Sequence, residues 1–283
     1  MQVYLNGSFV DHNKANVSVA DRGFIFGDGV YEVTRIINGK PFREKEHLER
    51  LEAGLKSLKI NLDSSVLEEI PKISEELLEK NDLLEGEAAI YLQITRGTAW
   101  PRTHTFPNPD VKPSIYLSAS SFTPHTELHK TGVDVITLAD VRWTRCNIKT
   151  VQLLPNTLAK QQAQEAGVDS ALLIRDGVIT VSPNANIFGV KDGGLYTYPE
   201  SNYILSGITR QVVLEIAEKL GIPVHFNPIR QEDLFELDEL FFSGTTTDIQ
   251  PVTVIDGKKL GNGKPGPVVK AIQEEHGKML YNE

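Results

Sequence analysis

The stretch Arg145-Cys146-Asn147-Ile148-Lys149-Thr150 decides how this sequence is interpreted. It follows the apolar run 133–138, which has the composition of a buried strand, and it precedes Leu153-Leu154-Pro155-Asn156, which is typical of a helix start. A lysine between two apolar elements is unusual, because burial disfavours the ammonium form and makes the amine nucleophilic. The stretch therefore indicates either a lysine that reacts with a carbonyl group or an ordinary lysine that extends to solvent at a strand end.

The composition is that of an ordinary globular protein of one or two domains. The chain has 283 residues, of which 40% are hydrophobic and 24% charged, and its net charge is -9. This charge argues against nucleic-acid binding but allows a local basic pocket for an anionic ligand. No apolar run approaches the ~18 residues of a membrane helix, and the N-terminus lacks the regions of a signal peptide. With one cysteine and no metal-binding histidine spacing, we expect a cytoplasmic protein without a metal site.

Patterns in the first 120 residues predict a domain that combines strands and helices. Two Asn-Gly pairs, at residues 6–7 and 38–39, lie between apolar runs and are typical of tight hairpins. We expect this N-terminal domain to span residues 1–120, since residues 122–126 have the composition of a linker. The other predicted elements are helices over 44–59 and 64–80, the second interrupted or kinked at Pro71, and strands over 88–95 and 114–118.

Patterns after residue 120 predict a second, larger domain over residues 121–283. The mixture of strands and helices in both halves predicts an α/β fold class with two domains. The predicted elements are strands over 133–138 and 194–198, a strand-turn-strand over 170–190, a strand running into a turn over 240–248, a hairpin over 252–260, and helices over 158–166, 205–220 and 267–279.

Three segments could each bind an anion. Loop 96–107 is stiffened by prolines and aromatic residues, and its Arg102 can present two N–H groups to a carboxylate. Gly207 opens a helix, and a helix start presents free backbone N–H groups to a phosphate. The hydroxyl-rich turn 243–248 could form an anion nest. Each segment also has an ordinary interpretation, as a surface loop, a helix cap or a turn closed by its own hydroxyl groups.

Seven motifs, in order along nearly the whole chain, resemble the fold-type IV pyridoxal-phosphate enzymes. Each motif alone is weak, but a chance match of seven in the family order is very improbable. The resemblance implies an α/β fold of two domains with the cofactor in the cleft between them, and it favours a reactive Lys149. The motifs are Phe26-Gly27-Asp28-Gly29-Val30-Tyr31-Glu32, His47-Leu48-Glu49-Arg50-Leu51, Thr95-Arg96-Gly97 with Pro101-Arg102-Thr103-His104, Arg145-Cys146-Asn147-Ile148-Lys149, Asn186-Ile187-Phe188-Gly189, Gly207-Ile208-Thr209-Arg210 and Thr245-Thr246.

The resemblance implies how the cofactor, pyridoxal 5'-phosphate, would be held. Lys149 would bind it as a Schiff base and then move the substrate proton. The side chain of Arg50 would contact the phosphate. The backbone N–H groups of Ile208 and Thr209 and the hydroxyl group of Thr245 would complete the phosphate site, in agreement with the helix start and the turn described above.

For the substrate, the resemblance implies a site for the α-carboxylate that is formed by Tyr31, Arg102 and His104. The Arg-x-His pair is what most resembles the branch of the family that acts on D-amino acids. Trp100 stands just before this pair, separated from it by Pro101, so we expect a loop one residue longer than is usual in the family. A homodimer is also implied, because in this family the partner chain often closes the site.

The chain departs from the family at Val181, a position predicted to contact the cofactor. The family has a glutamate there, which pairs with the pyridine nitrogen and keeps it protonated. Valine forms no hydrogen bond, so the ring nitrogen should tend to be neutral, at a cost on the order of 3 kcal/mol in the transition state. Two explanations stay open: an engineered or naturally weakened form, or a substitute hydrogen bond from Asn184 or a water molecule.

We therefore expect a pyridoxal-phosphate transaminase that moves the amino group of a D-amino acid, such as D-alanine, to a 2-oxo acid such as 2-oxoglutarate. A first alternative is a branched-chain L-amino acid aminotransferase or an aminodeoxychorismate lyase on the same fold. A second alternative is a pyridoxal-phosphate-binding protein of low activity, which only Val181 favours.

Overall fold

The structure is a computed structural model that describes residues 1–281. Its chain divides into two compact units. Unit 1 comprises residues 1–123 and the short segment 148–152, and unit 2 comprises residues 124–147 and those from 153 to the end of the described part. The structure differs here from our prediction, which placed Lys149 in the C-terminal domain. The segment that carries Lys149 belongs to unit 1 because its backbone pairs with a strand of that unit.

Unit 1 is built on a six-stranded antiparallel sheet that packs against two long helices. Both predicted hairpins are confirmed, and Asn6 and Asn38 adopt the positive φ angles, 48° and 47°, that such turns require. Its elements are β1 (Gln2–Leu5), β2 (Ser8–Asp11), α1 (Arg22–Phe26), β3 (Gly29–Ile37), β4 (Lys40–Pro41), α2 (Glu44–Leu58), α3 (Ser64–Lys80), β5 (Glu87–Thr95) and β6 (Ser114–Ser121), with a 3-10 turn over His12–Lys14. The strand order is β2-β1-β6-β5-β3-β4.

The core of unit 1 lies between one face of this sheet and helices α2 and α3. Leu51 of α2 and Leu77 of α3 are fully buried there, together with Val30 of β3. Helix α2 comes close to the sheet at Gly54, where a Cβ atom would lie 3.1 Å from a methyl group of Val30. Helix α3 is not interrupted at Pro71, because the predicted break is outweighed by the apolar face that the helix buries on both sides of the proline.

Segment 148–152 lies in an extended conformation beside the start of β3. The backbone N–H of Tyr31 donates to the carbonyl oxygen of Lys149 at 3.0 Å, and the N–H of Val151 donates to the carbonyl oxygen of Gly29 at 3.1 Å. The side chain of Ile148 is 5% exposed and belongs to the core of unit 1. Lys149 is thus fixed by backbone hydrogen bonds and by a buried neighbour in the sequence.

Unit 2 is built on a ten-stranded mixed sheet with four helices in the described part of the chain. A short helix that was not predicted begins at Thr126, the last residue of the predicted linker. The following helix begins four residues earlier than expected, because Pro155 fits its first turn. The elements are α4 (Thr126–Thr131), β7 (Val133–Ala139), α5 (Leu154–Glu165), β8 (Ser170–Arg175), β9 (Val178–Val181), β10 (Asn186–Lys191), β11 (Gly194–Thr197), α6 (Ile208–Leu220), β12 (Val224–His225), β13 (Ile229–Arg230), β14 (Glu239–Gly244), β15 (Asp248–Ile255), β16 (Lys258–Lys259) and α7 (Pro267–Tyr281), with a 3-10 turn over Leu234–Glu236.

The strand order in unit 2 is β12-β11-β10-β14-β15-β7-β8-β9-β13, with β16 beside β15. Helices α6 and α7 pack against each other and against the central strands β14 and β15. The carboxylate of Glu239 accepts hydrogen bonds from the N–H groups of Val268 and Val269, and so caps α7. No helix within residues 1–281 is both long enough and apolar enough to cross a membrane.

We predict that Ile148→Ala destabilises unit 1 by about 2–5 kcal/mol, because it leaves a cavity under the segment that carries Lys149. Amide hydrogen exchange should also accelerate at Tyr31 and Val151, whose N–H groups bond across this segment. Ile70→Ala, in the same core but outside the segment, is the matched control. It should cost similar stability in urea unfolding and leave these two amides protected. Equal acceleration in both variants would contradict the anchoring role of Ile148.

Candidate active site

Lys149 is half-buried and its amine lies over an aromatic ring. The Nζ atom is 4.1 Å from the centroid of the Tyr31 ring, close enough for a cation–π interaction. Tyr31 stacks in turn on Tyr91, with ring centroids 5.7 Å apart. Burial raises the pKa of Tyr91 to about 12, with smaller contributions from Tyr31 and Tyr116, so its hydroxyl group stays neutral. Two of the predicted site residues, Tyr31 and Lys149, are thus neighbours on one neutral aromatic surface.

On the opposite face of β3, Glu32 points toward the helices and forms a buried charged cluster. Alternation along the strand sends Val30 and Glu32 to the same face, and Glu32 is 2% exposed. Its carboxylate accepts from Nε and Nη2 of Arg50, each at 2.7 Å, and from Nδ1 of His47 at 2.8 Å. His47 and Arg50 are three residues apart on α2, so both side chains reach the same carboxylate.

The charge of Glu32 is set by a competition between burial and its partners. Burial raises the pKa of the carboxyl group, but the hydrogen bonds from Arg50 and His47, with the charges of Arg50 and Lys149, lower it to about 2. Its partner His47 has a lowered pKa, because burial outweighs the attraction of Glu32. An ionised carboxylate only accepts, so a neutral His47 donates from Nδ1. The stability that ionised Glu32 contributes is present above about pH 4.5 and is lost as the pH falls toward 2.

The loop with Arg102 and His104 is held on unit 1, but both side chains are exposed. The guanidinium carbon of Arg102 lies 4.5 Å from the centroid of the Phe26 ring, and the ring of His104 lies 5.5 Å from it. Arg22 fixes the loop by donating to the carbonyl oxygen of Thr103 at 2.8 Å. Among the contacts of residues 1–281, Arg102 and His104 pack on Phe26, and the structure does not place either of them against Tyr31.

In unit 2, the predicted phosphate-binding groups lie at the start of α6 and in the turn after β14. Gly207 is the N-cap residue of α6 and provides no side-chain cap, so Ile208 and Thr209 begin the helix with backbone N–H groups. A Cβ atom on Gly207 would lie 2.2 Å from Oδ1 of Asn186, which leaves room for glycine alone. Thr245 is half-buried in the turn that follows β14.

Val181 ends strand β9 and is 5% exposed in an apolar cluster. The cluster includes Ala159 and Ala163 of α5 and Ile204, which precedes α6. The side chain therefore has apolar neighbours, as the sequence led us to expect. Asn184, which we considered as a substitute hydrogen-bonding group, has an exposed side chain.

Glu32 and His47 lie in two of the seven motifs, but the sequence alone indicated no role for either. A signal was present for Glu32, because this charged residue shares its face of the strand with Val30 and Ile36, which are buried and apolar. A signal for His47 was weaker, because its spacing from Arg50 only becomes informative once Glu32 is known to face α2.

The chain belongs to the class IV aminotransferase family. A family model described as amino-transferase class IV matches residues 29–255, which include Lys149 and both groups of candidate phosphate-binding residues. Enzymes of this class depend on pyridoxal phosphate, and the solved structures that the chain resembles include one complexed with N-(5'-phosphopyridoxyl)-L-glutamate. The protein is therefore a pyridoxal-phosphate-dependent aminotransferase of fold type IV. This confirms the predicted fold class, enzyme class and cofactor.

Individual relatives align with nearly the whole chain. The chain is 41% identical over 280 residues to a D-alanine aminotransferase from Staphylococcus haemolyticus, covering 99% of this chain and 98% of that protein. The structure is similar to the branched-chain amino acid aminotransferase of Escherichia coli, with a TM-score of 0.88, 28% identity, and coverage of 96% and 92% of the two chains. It is also similar to the branched-chain aminotransferase of Thermoproteus uzoniensis with norvaline, with a TM-score of 0.86, 29% identity and coverage of 100% and 96%.

We predict that acidification from pH 7 to pH 5 destabilises the folded chain partly through His47. Its pKa is lowered in the folded state, so the unfolded chain binds a proton at this histidine first and stability falls as the pH decreases. His47→Asn keeps a donor near the Nδ1 position and removes the titration, so its urea midpoint should fall less over this range. His12→Asn, an exposed histidine in the same unit, is the control. Identical pH profiles for His47→Asn and the wild type would contradict a neutral, buried His47.

Proposed function

We propose that the protein transfers the amino group of D-amino acids, such as D-alanine, to a 2-oxo acid such as 2-oxoglutarate. The observation that carries the proposal is the 41% identity over 280 residues to the D-alanine aminotransferase of Staphylococcus haemolyticus. The Arg102-x-His104 pair supports the same branch of the family. The structural similarity to branched-chain enzymes, at 28% identity, is the observation that favours an L-specific alternative, but it follows from the fold that all these enzymes share.

The residues present fit pyridoxal phosphate. A doubly charged phosphate needs several hydrogen-bond donors, and the start of α6 provides backbone N–H groups at Ile208 and Thr209 that no side chain caps. Thr245 adds a hydroxyl group, and Arg50 adds a cation whose orientation is set by two hydrogen bonds to Glu32. We assign these four residues to the phosphate, and Lys149 to the covalent attachment of the cofactor.

In the proposed mechanism the protein binds, orients and moves one proton. When bound, the cofactor withdraws electrons from the amino acid and makes its Cα proton acidic. Lys149 Nζ would then take this proton as a general base. The same amine would return a proton as a general acid later in the transfer. The ring of Tyr31, 4.1 Å from Nζ, limits where the amine can go, and the backbone hydrogen bonds of segment 148–152 hold the lysine in place.

Substrate recognition would use Tyr31, Arg102 and His104 for the α-carboxylate. Arg102 and His104 are exposed on a loop that Arg22 ties to unit 1, which suits groups that meet a substrate or a second chain. We therefore keep the homodimer as part of the proposal, together with a cytoplasmic location. The exposed Trp100 in this loop supports a protein contact.

The D-substrate assignment predicts a clear result in single-turnover spectroscopy. Adding D-alanine to the holoenzyme should shift the absorbance of the cofactor to that of its amino form, and 2-oxoglutarate should reverse the shift. L-Alanine, L-leucine and L-valine should react at least 100-fold more slowly. Lys149→Ala should lose both shifts, because the group that moves the Cα proton is absent. A faster shift with L-leucine or L-valine would establish the branched-chain alternative instead.

We also propose that Val181 contacts the pyridine ring and leaves its nitrogen without a charged partner. Val181→Glu should then raise turnover by about 10–100-fold, since one preorganised electrostatic partner contributes about 2–4 kcal/mol. The same variant should lower the melting temperature of the apoenzyme, because it buries a carboxylate among Ala159, Ala163 and Ile204. Val181→Gln, of similar size but uncharged, is the control. Unchanged turnover in Val181→Glu would show that another group already serves the ring nitrogen.

A further inference from the structure

A buried hydroxyl group in unit 2 has no hydrogen-bond partner within the described chain. It belongs to Ser243, which is 1% exposed, and its Oγ atom is shielded from solvent. Buried polar groups are almost always hydrogen-bonded, so an unpaired one requires a physical explanation. Ser170, on β8, is the second buried serine in this condition, and it lies three strands away from β14 in the sheet.

The side chain of Ser243 faces the region where α6 begins. Ser243 lies directly opposite Asn186 in the antiparallel pair of β14 and β10, so the two side chains share one face of the sheet. Asn186 contacts the turn before α6, where its Nδ2 atom donates to the carbonyl oxygen of Leu205 at 2.9 Å. Its Oδ1 atom lies against Gly207, the N-cap residue. Ser243 therefore lies one strand spacing from the side chain that shapes this helix start.

The helix start and the turn after β14 make this a place for an anion. Helix α6 has 13 residues, its N-cap is a glycine, and its first turn receives no side-chain cap. Thr245 lies two residues after Ser243, in the turn that follows β14. A hydrogen bond from the N–H of Thr247 to the carbonyl oxygen of Gly244, at 3.1 Å, closes this turn. An anion here would offer several acceptor oxygens to any hydroxyl group within reach.

We propose that Ser243 is a further phosphate-binding residue, whose Oγ–H donates to the phosphate group of the cofactor held at the start of α6. The proposal rests on the proposed cofactor site and extends it by a residue that sequence reasoning did not select. It explains why a hydroxyl group is kept at a fully buried position of β14. Ser170 lacks such a neighbour, so its hydroxyl group should be indifferent to the cofactor.

The test compares Ser243→Ala with Ser170→Ala by titrating each apoenzyme with pyridoxal phosphate and, separately, with pyridoxal, which lacks the phosphate. Ser243→Ala should weaken pyridoxal phosphate binding by about 10-fold or more, since a hydrogen bond to a charged group is lost. Its affinity for pyridoxal should stay unchanged. Ser170→Ala should bind both ligands as the wild type does. The phosphorus-31 resonance of the bound phosphate should shift in Ser243→Ala alone.

The melting temperature of each apoenzyme is the control that shows whether the variants still fold. Replacing an unpaired buried hydroxyl group by a methyl group should leave this temperature unchanged or slightly higher in both variants. Wild-type affinity of Ser243→Ala for pyridoxal phosphate overturns the assignment of Ser243, and so does an equal loss for both ligands, which would indicate a structural role. If the wild type itself prefers pyridoxal or binds neither ligand, the proposed cofactor site fails, and the assignment of Ser243 fails with it.

Discussion

The candidate site of unit 1 depends on the hydrogen bonds that the ionised carboxylate of Glu32 accepts from helix α2. This carboxylate is buried, and it accepts from both Arg50 and His47 at 2.7–2.8 Å. A buried ion pair stabilises a fold only when its geometry is good and its remaining positions are hydrogen-bonded, and both conditions hold here. Removing Glu32 would remove two hydrogen bonds that orient Arg50 and a negative charge near Lys149. One residue thus joins the proposed phosphate ligand to the proposed reactive lysine.

The backbone provides the other half of this arrangement. Strand β3 carries Tyr31 on one face and Glu32 on the other, and segment 148–152 pairs with the start of that strand. Tyr31 and Lys149 therefore come from adjacent backbones, so the aromatic wall and the amine are placed by hydrogen bonds that need no flexible loop. In unit 2, the helix start at Gly207 and the turn after β14 provide donors from regular elements in the same way.

Local patterns predicted much of the fold. The Asn-Gly hairpins, helices α2 and α7, and the chemical character of the start of α6 all follow from spacing and from residue preferences that act within a few positions. The two-residue strands β12 and β13 were not predicted, because two residues carry no periodicity. The short α4 was not predicted either, because six residues are too few to show a helical period. The predicted end of α5 at residue 166 lies one residue from the observed end, because Gly167 follows with a φ of 74°, which favours glycine.

Long-range contacts could not be predicted in this way. The pairing of segment 148–152 with β3 joins residues more than a hundred positions apart, and nothing in either segment specifies the other. The role of His47 depends on Glu32 facing α2. The surroundings of the Ser243 hydroxyl group depend on strands β10 and β14 and on helix α6. The family resemblance assigned roles to nine candidate site residues. The structure places Lys149 beside Tyr31 on one face of β3 and Arg50 beside Glu32 on the other.

The central claim is that Lys149 is the lysine that binds the cofactor, and chemical trapping tests it directly. The holoenzyme would be reduced with borohydride, digested and analysed by mass spectrometry for a phosphopyridoxyl group on lysine. The account predicts the modification on the peptide that contains Lys149, at close to one per chain, and its loss in Lys149→Arg. A stoichiometric adduct on another lysine, with Lys149 unmodified, would contradict the account.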